Sequence, residues 1–179
     1  MTNLKTLLLL IFFVTIGINA QEQETENKWE PFEYFIGSWQ GHETGVAGIG
    51  KGARTYEKIM NGTYLYFRNT STFEPQEKNP KGEKHEDQTY FSYDEINNNY
   101  VIRQFNSEGY INKFVLDSLS ADNKYFVFVS ESSENAPPDL RARIIYSIQN
   151  ENEFIETFEL AFPKKDFQLF LKNYWKRLE

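Results

Sequence analysis

The chain of 179 residues contains no cysteine. That excludes a disulfide framework, a thiolate metal centre, a cysteine nucleophile and the lipid-acceptor cysteine of a lipoprotein. Histidine is nearly as scarce, with only His42 and His85. Long hydrophobic runs are absent apart from Thr6 to Ile18, which falls short of the roughly 18 to 20 residues a spanning helix needs. Basic residues are outnumbered, 19 against 26 acidic, and the net charge of −7 is interspersed rather than clustered. A nucleic-acid partner is therefore not expected. From Gly37 onward helical periodicity is essentially missing.

What is present begins with one positive charge at Lys5, the apolar run, and Ala20 before the polar, acidic Gln21-Glu22-Gln23-Glu24. This reads as a signal peptide over residues 1–20 cleaved near Ala20, which implies a secreted or periplasmic mature chain with no membrane span. Residues 21–28 read as a flexible leader and 29–179 as one domain. Trp29 to Ile36 is short and aromatic, with Pro31 suited to a first helical turn, and predicts a short helix plugging a barrel end.

From Gly37 onward, segments rich in Tyr, Phe, Val, Ile and Thr alternate with turn chemistry at short intervals. They predict about ten strands: 37–44, 53–60, 63–73, 85–93, 100–106, 110–118, 125–131, 140–149, 154–162 and 167–178. Asn61-Gly62, Asn97-Asn98-Asn99, Glu108-Gly109, Asp122-Asn123 and Asn150-Glu151-Asn152 supply tight turns between them. An all-β, antiparallel up-and-down barrel follows, of about eight to ten strands, a size that can hold one small ligand. Glu74 to Lys84, Ser132 to Asp139 and the glycine-rich Gly45 to Gly52 read as longer loops framing an entrance.

Alternation assigns faces where it is clean. Leu140, Ala142, Ile144, Tyr146 and Ile148 should point inward, as should Phe154, Phe158, Leu160 and Phe162, which puts Glu156 among them. The strands 63–73 and 125–131 are apolar or aromatic on both sides, so their register stays open.

The opening Gly37-Ser38-Trp39-Gln40-Gly41, the hairpin Tyr56 to Leu65 around Asn61-Gly62, Tyr93-Asp94 and Arg103 to Gly109 together resemble the lipocalin-like calycin barrels of bacteria. The chain is similar to nitrobindin-like and related secreted barrels from about Phe35 to Leu178. The resemblance implies that Trp39 closes the barrel base and that Arg177 covers its indole by a cation–π contact. It also implies haem held by a late-chain histidine, but no histidine follows His85, so no cofactor is expected.

Arg103 sits between Val101 and Phe105, and Glu156 between Phe154 and Phe158, each an ionisable group on an apolar stripe. Buried charges demand partners. Two readings stand: contacts for a ligand head group, with the Arg103 fork suited to a carboxylate, or an internal ion pair or outward face. His42-Glu43 and His85-Glu86-Asp87 match no metal spacing, and no metal is expected. No Gly-x-Ser-x-Gly elbow or phosphate loop is present. The expected function is non-catalytic binding of a small apolar or amphipathic molecule inside the barrel, through Trp39, Arg103, Tyr146, Glu156 and Phe158. The alternative is a cofactor-independent isomerase or lyase with Glu156 as base and Arg103 stabilising the developing anion. Oligomeric state is left open.

Overall fold

A computed structural model describes residues 27–179; the segments expected to be a signal peptide, 1–20, and most of the expected leader, 21–28, lie outside the described residues. Ten strands follow one another in order: β1 Gly37–Gly45, β2 Gly48–Ile59, β3 Tyr64–Phe73, β4 Glu83–Asp94, β5 Asn99–Asn106, β6 Ile111–Leu119, β7 Tyr125–Glu134, β8 Arg141–Asn150, β9 Glu153–Ala161 and β10 Gln168–Arg177. Each pairs antiparallel with its sequence neighbours, and β1 pairs with β10 from Trp39↔Arg177 to Gly45↔Leu171, closing the barrel. Closure leaves no unpaired edge strand.

The helix expected at Trp29 to Ile36 is a 3₁₀ turn over Glu30–Phe35, with Pro31 in its first turn. Its Phe32 and Phe35 rings enter the barrel, meeting Phe126 at 5.1 and 5.6 Å and Phe91 and Phe154 nearby. The plug is tied down by Trp29 Nε1 donating to Gly62 O at 2.8 Å and Tyr34 Oη donating to Asn150 O at 2.9 Å. Trp39 is wholly buried beside it, donates Nε1–H to Phe35 O at 2.7 Å, and carries the Arg177 guanidinium 4.2 Å over its ring. The indole and guanidinium therefore seal the closed end, and Arg177 also donates to Ile36 O at 2.7 Å.

The register left open by the sequence resolves by burial. Leu65, Phe67, Asn69, Ser71 and Phe73 face inward on β3, and Phe126 and Phe128 on β7. The inward set on β8 is Ala142, Ile144, Tyr146 and Ile148, and β9 turns Phe154, Glu156, Phe158 and Leu160 inward beside it.

Two expectations fail locally. Phe162 is 56% exposed, because β9 ends one residue earlier at the fully buried Ala161. Gly45 to Gly52 is not a loop: only residues 46 and 47 turn, and β2 already runs from Gly48. Alternate glycines there face inward and leave space for rings. A Cβ on Gly52 would stand 2.6 Å from Trp175 Cη2, and one on Gly50 2.7 Å from Phe73 Cδ1.

Candidate functional site

Antiparallel order puts the plug and the tight turns after even-numbered strands at one end. At the other end stand the 46–47 turn and the loops 74–82, 135–140 and 162–167. The closed half is packed with aromatic rings: Tyr56, Phe67, Phe91, Phe126, Phe128, Tyr146, Phe154 and Trp175 are all buried. Above them lies a belt of buried polar side chains, and its centre is an ion pair.

Arg54 on β2 reaches Glu156 on β9 at 2.9 Å, Nη2 to Oε2, with the two side chains 3% and 9% exposed. The same Oε2 accepts from Trp175 Nε1 at 3.2 Å and Asn173 Nδ2 at 3.3 Å. The guanidinium is sandwiched between Trp175 and Phe67, 4.3 and 4.5 Å from their centroids, and donates to Tyr56 Oη at 3.0 Å and Asn69 Oδ1 at 3.2 Å. Burial by itself disfavours the charged guanidinium, but Glu156 more than compensates and fixes it as a cation. Burial likewise raises the Tyr56 and Tyr146 hydroxyls well above the usual phenol range, so both stay protonated.

The network continues outward through Asn69, whose Nδ2 donates to Ser71 Oγ at 3.0 Å and Asp87 Oδ2 at 3.3 Å. Ser71 Oγ donates to Glu43 Oε1. Burial pushes the Glu43 carboxyl up, against the opposing pull of Ser71 and Arg54. Asp87 meets His85 Nε2 at 2.9 Å, and His85 Nδ1 meets Glu108 Oε1 at 2.7 Å on the rim. Burial would lower the imidazole's affinity for its proton, yet Asp87 and Glu108 outweigh it and hold the pKa up to about 9. One hydrogen-bonded path thus links the central ion pair to the end of the barrel opposite the plug. Three buried atoms along this belt, Asp87 Oδ1, Thr89 Oγ1 and Asn173 Oδ1, have no hydrogen-bond partner among the described residues.

The residues singled out in the sequence divide sharply. Trp39, Tyr146, Glu156 and Phe158 face the interior, with Phe158 half-buried. Arg103 does not join them. It is exposed on the outer face of β5, opposite Tyr90 and Lys113, and donates to Ser92 Oγ at 2.8 Å. There it lines an open groove of about 1060 Å³ with Tyr64, Arg68, Tyr90 and Phe105. Its apolar flanks, Val101 and Phe105, are outward residues, while Ile102 and Gln104 are the inward ones. The Glu156–Arg103 constellation on which the isomerase or lyase alternative rested is therefore not formed. Arg54, which sequence reasoning passed over, is the cation that Glu156 meets. A signal existed, since Arg54 alternates with Tyr56 on a strand paired next to the Trp39 opening.

The residues do not fit haem of the nitrobindin type. Strands β5 to β10 carry no histidine, and His42 stacks on Tyr174 at 4.6 Å on the outside.

No family model matches the chain, and no curated protein matches it. Among solved structures, the crystal structure of Rv2717c from M. tuberculosis is similar with a TM-score of 0.63 at 13% identity, covering 84% of this chain and 97% of that one. The shared feature is the barrel fold. A de novo designed fluorescence-activating β-barrel gives a TM-score of 0.40 at 12% identity over 81% of this chain and 94% of that one. Among the described residues, no helix is long and apolar enough to cross a membrane.

Proposed function

We propose that the protein is a non-catalytic binding module, secreted or periplasmic, whose barrel takes one small amphipathic molecule through its open end. The observation that carries this reading is the composition of the upper interior. Phe158, Leu160 and Leu171 on β9 and β10 face inward yet remain only half-buried, forming an apolar wall. Across from them β3 to β6 present Ser71, Asp87, Thr89, Gln104 and Asn112, a polar wall. Such two-sidedness suits a ligand with one apolar and one polar end. The Gly37-to-Gly41 opening and the Trp39–Arg177 seal support reading the module as lipocalin-like.

The polar end of the ligand is better matched by a head rich in N–H or O–H donors than by a lone carboxylate. Arg54 is already committed to Glu156, and Asp87 Oδ1 and Asn173 Oδ1 are acceptors without donors. Entry has a second aid in the parting of β7 from β8. Among the described residues their ladder stops at Val129↔Arg143, beyond which Ala142 N donates to Ser130 Oγ at 2.8 Å.

The test is native mass spectrometry of protein from its source, followed by tryptophan-fluorescence titration with medium-chain amphiphiles bearing amine, hydroxyl or carboxylate heads. A saturable one-to-one complex is expected, tighter for the donor heads. Leu171→Trp should fill the upper interior and abolish it at an unchanged unfolding midpoint. A barrel that co-purifies empty and binds none of the three amphiphiles overturns the reading.

A further inference from the structure

At the rim of the open end, three ligating groups from two segments converge outside the interior just described. Glu83 and His85 alternate on one face of β4, and Glu108 lies in the turn between β5 and β6. Their ligand atoms lie within 4.8 Å of one another. The turn is fastened to β4 by Ser107 N donating to Glu86 O at 2.9 Å and Glu86 N donating to Ser107 Oγ at 3.1 Å. The backbone that carries Glu108 is thereby held beside His85.

We propose that Glu83, His85 and Glu108 form a binding site for a divalent first-row metal ion, with Asp87 as the carboxylate that orients His85 from behind.

The chemistry is set by the two faces of the imidazole. Asp87 is 6% exposed and takes the Nε2 side at 2.9 Å, so Nδ1 is the nitrogen presented to the rim. A ring nitrogen held this way by a buried carboxylate is the usual outer-shell arrangement of a metal-bound histidine. Glu108 Oε1 lies 2.7 Å from Nδ1, a separation bridged either by a ring N–H proton or by a cation. A proton satisfies that pair alone and leaves Glu83 outside the interaction, contacted by Asn79 Nδ2 at 3.3 Å. A metal ion engages all three. Ligand atoms on one tetrahedral ion stand about 3.3 Å apart, so Glu108 must retreat by about half an ångström and Glu83 close in, which two exposed side chains can do.

Charge points the same way. Three carboxyl groups, Glu83, Glu108 and Asp87, gather around one imidazole, while Lys84 turns to the opposite face and pairs with Glu86 at 2.8 Å. Asp87 holds the ring through Oδ2 and keeps a second buried oxygen, Oδ1, without a donor among the described residues. One nitrogen and two carboxylates suit Zn²⁺ or Mn²⁺, and by the usual affinity order Zn²⁺ binds the tighter.

The test is calorimetric titration of Zn²⁺, with Mn²⁺ and Ca²⁺ for comparison, into chelator-treated protein. One saturable Zn²⁺ site is expected, tighter than Mn²⁺ and far tighter than Ca²⁺. His85→Ala should weaken Zn²⁺ binding at least a hundredfold and Glu83→Gln or Glu108→Gln at least tenfold each, while Asp87→Asn costs about ten- to a hundredfold through orientation alone. Circular dichroism confirms that each variant keeps the barrel. Absence of a saturable site, wild-type affinity in His85→Ala, or an unchanged affinity in Glu83→Gln each overturns the proposal. Because no amphiphile is present, the outcome is independent of ligand binding in the interior.

Discussion

Removing the Arg54 cation while leaving Glu156 in place should be among the most damaging single changes available in this barrel. In Arg54→Met the carboxylate keeps Trp175 Nε1 and Asn173 Nδ2 but loses the guanidinium that pairs with it, while remaining as buried as before. An uncompensated buried charge of this kind costs about 3–5 kcal/mol. The loss of the guanidinium from between Trp175 and Phe67 is part of that cost, and the Asn69 and Tyr56 oxygens lose a donor as well. The double variant Arg54→Met/Glu156→Leu removes both charges and fills similar volume, so it should recover most of the loss and fall within about 2 kcal/mol of the wild type. Urea unfolding followed by far-ultraviolet circular dichroism is the assay, since Trp175 touches the mutated site and would distort a fluorescence baseline. A single variant that loses under 1 kcal/mol, or a double variant no more stable than the single, would refute the idea that these charges exist for one another.

Trp39→Ala should destabilise the barrel by about 3–5 kcal/mol, because it removes a fully buried indole and uncovers Arg177; a loss under 1 kcal/mol in the same unfolding assay would place the seal elsewhere. Glu43 has its pKa raised in the fold, chiefly by burial, so the folded state holds its proton more firmly than an unfolded chain whose glutamate titrates near 4.5. Stability from this group is thus highest at low pH and declines as pH rises from about 4.5 through the raised folded value. Glu43→Gln should be neutral below that window and stabilising above it; matched unfolding curves at pH 4 and pH 7 with no divergence would count against a buried, reluctant carboxyl.

The strand succession, the plug and the Trp39–Arg177 seal were legible because each has a local or family-level signature: turn residues at short spacing, a proline in a first helical turn, a Gly-x-Trp opening. The inward face of β8 and β9 was legible because alternation there is clean. The polar belt was not, for a physical reason. Period-two reasoning assumes that apolar means inward, and β5 violates this at both flanks of Arg103, since Val101 is buried from outside and Phe105 is exposed. On β2 the inward glycines carry no hydrophobic signal and made residues 45–52 look like a loop, so Arg54 stood near the start of the expected strand 53–60 with only Tyr56 to mark its face as inward. Glu156 was found, but its partner lies about a hundred residues earlier, at a separation that one sequence cannot bridge.

Closure of the barrel by β1 against β10 joins residues at opposite ends of the domain, Trp39 with Arg177 and Gly45 with Leu171. During synthesis, β1 to β9 can pair successively as hairpins, but β1 must wait for the last strand, and until then β1 and β9 each present an unpaired ladder to other chains. Trp175 and Arg177 arrive with that same strand. The residues that complete the buried belt and cover the Trp39 indole are thus delivered in the step that removes the last sticky edges. A chain interrupted before β10 would lack both its seal and its solubility, so aggregation or proteolysis is the expected fate of a nascent chain that stalls there.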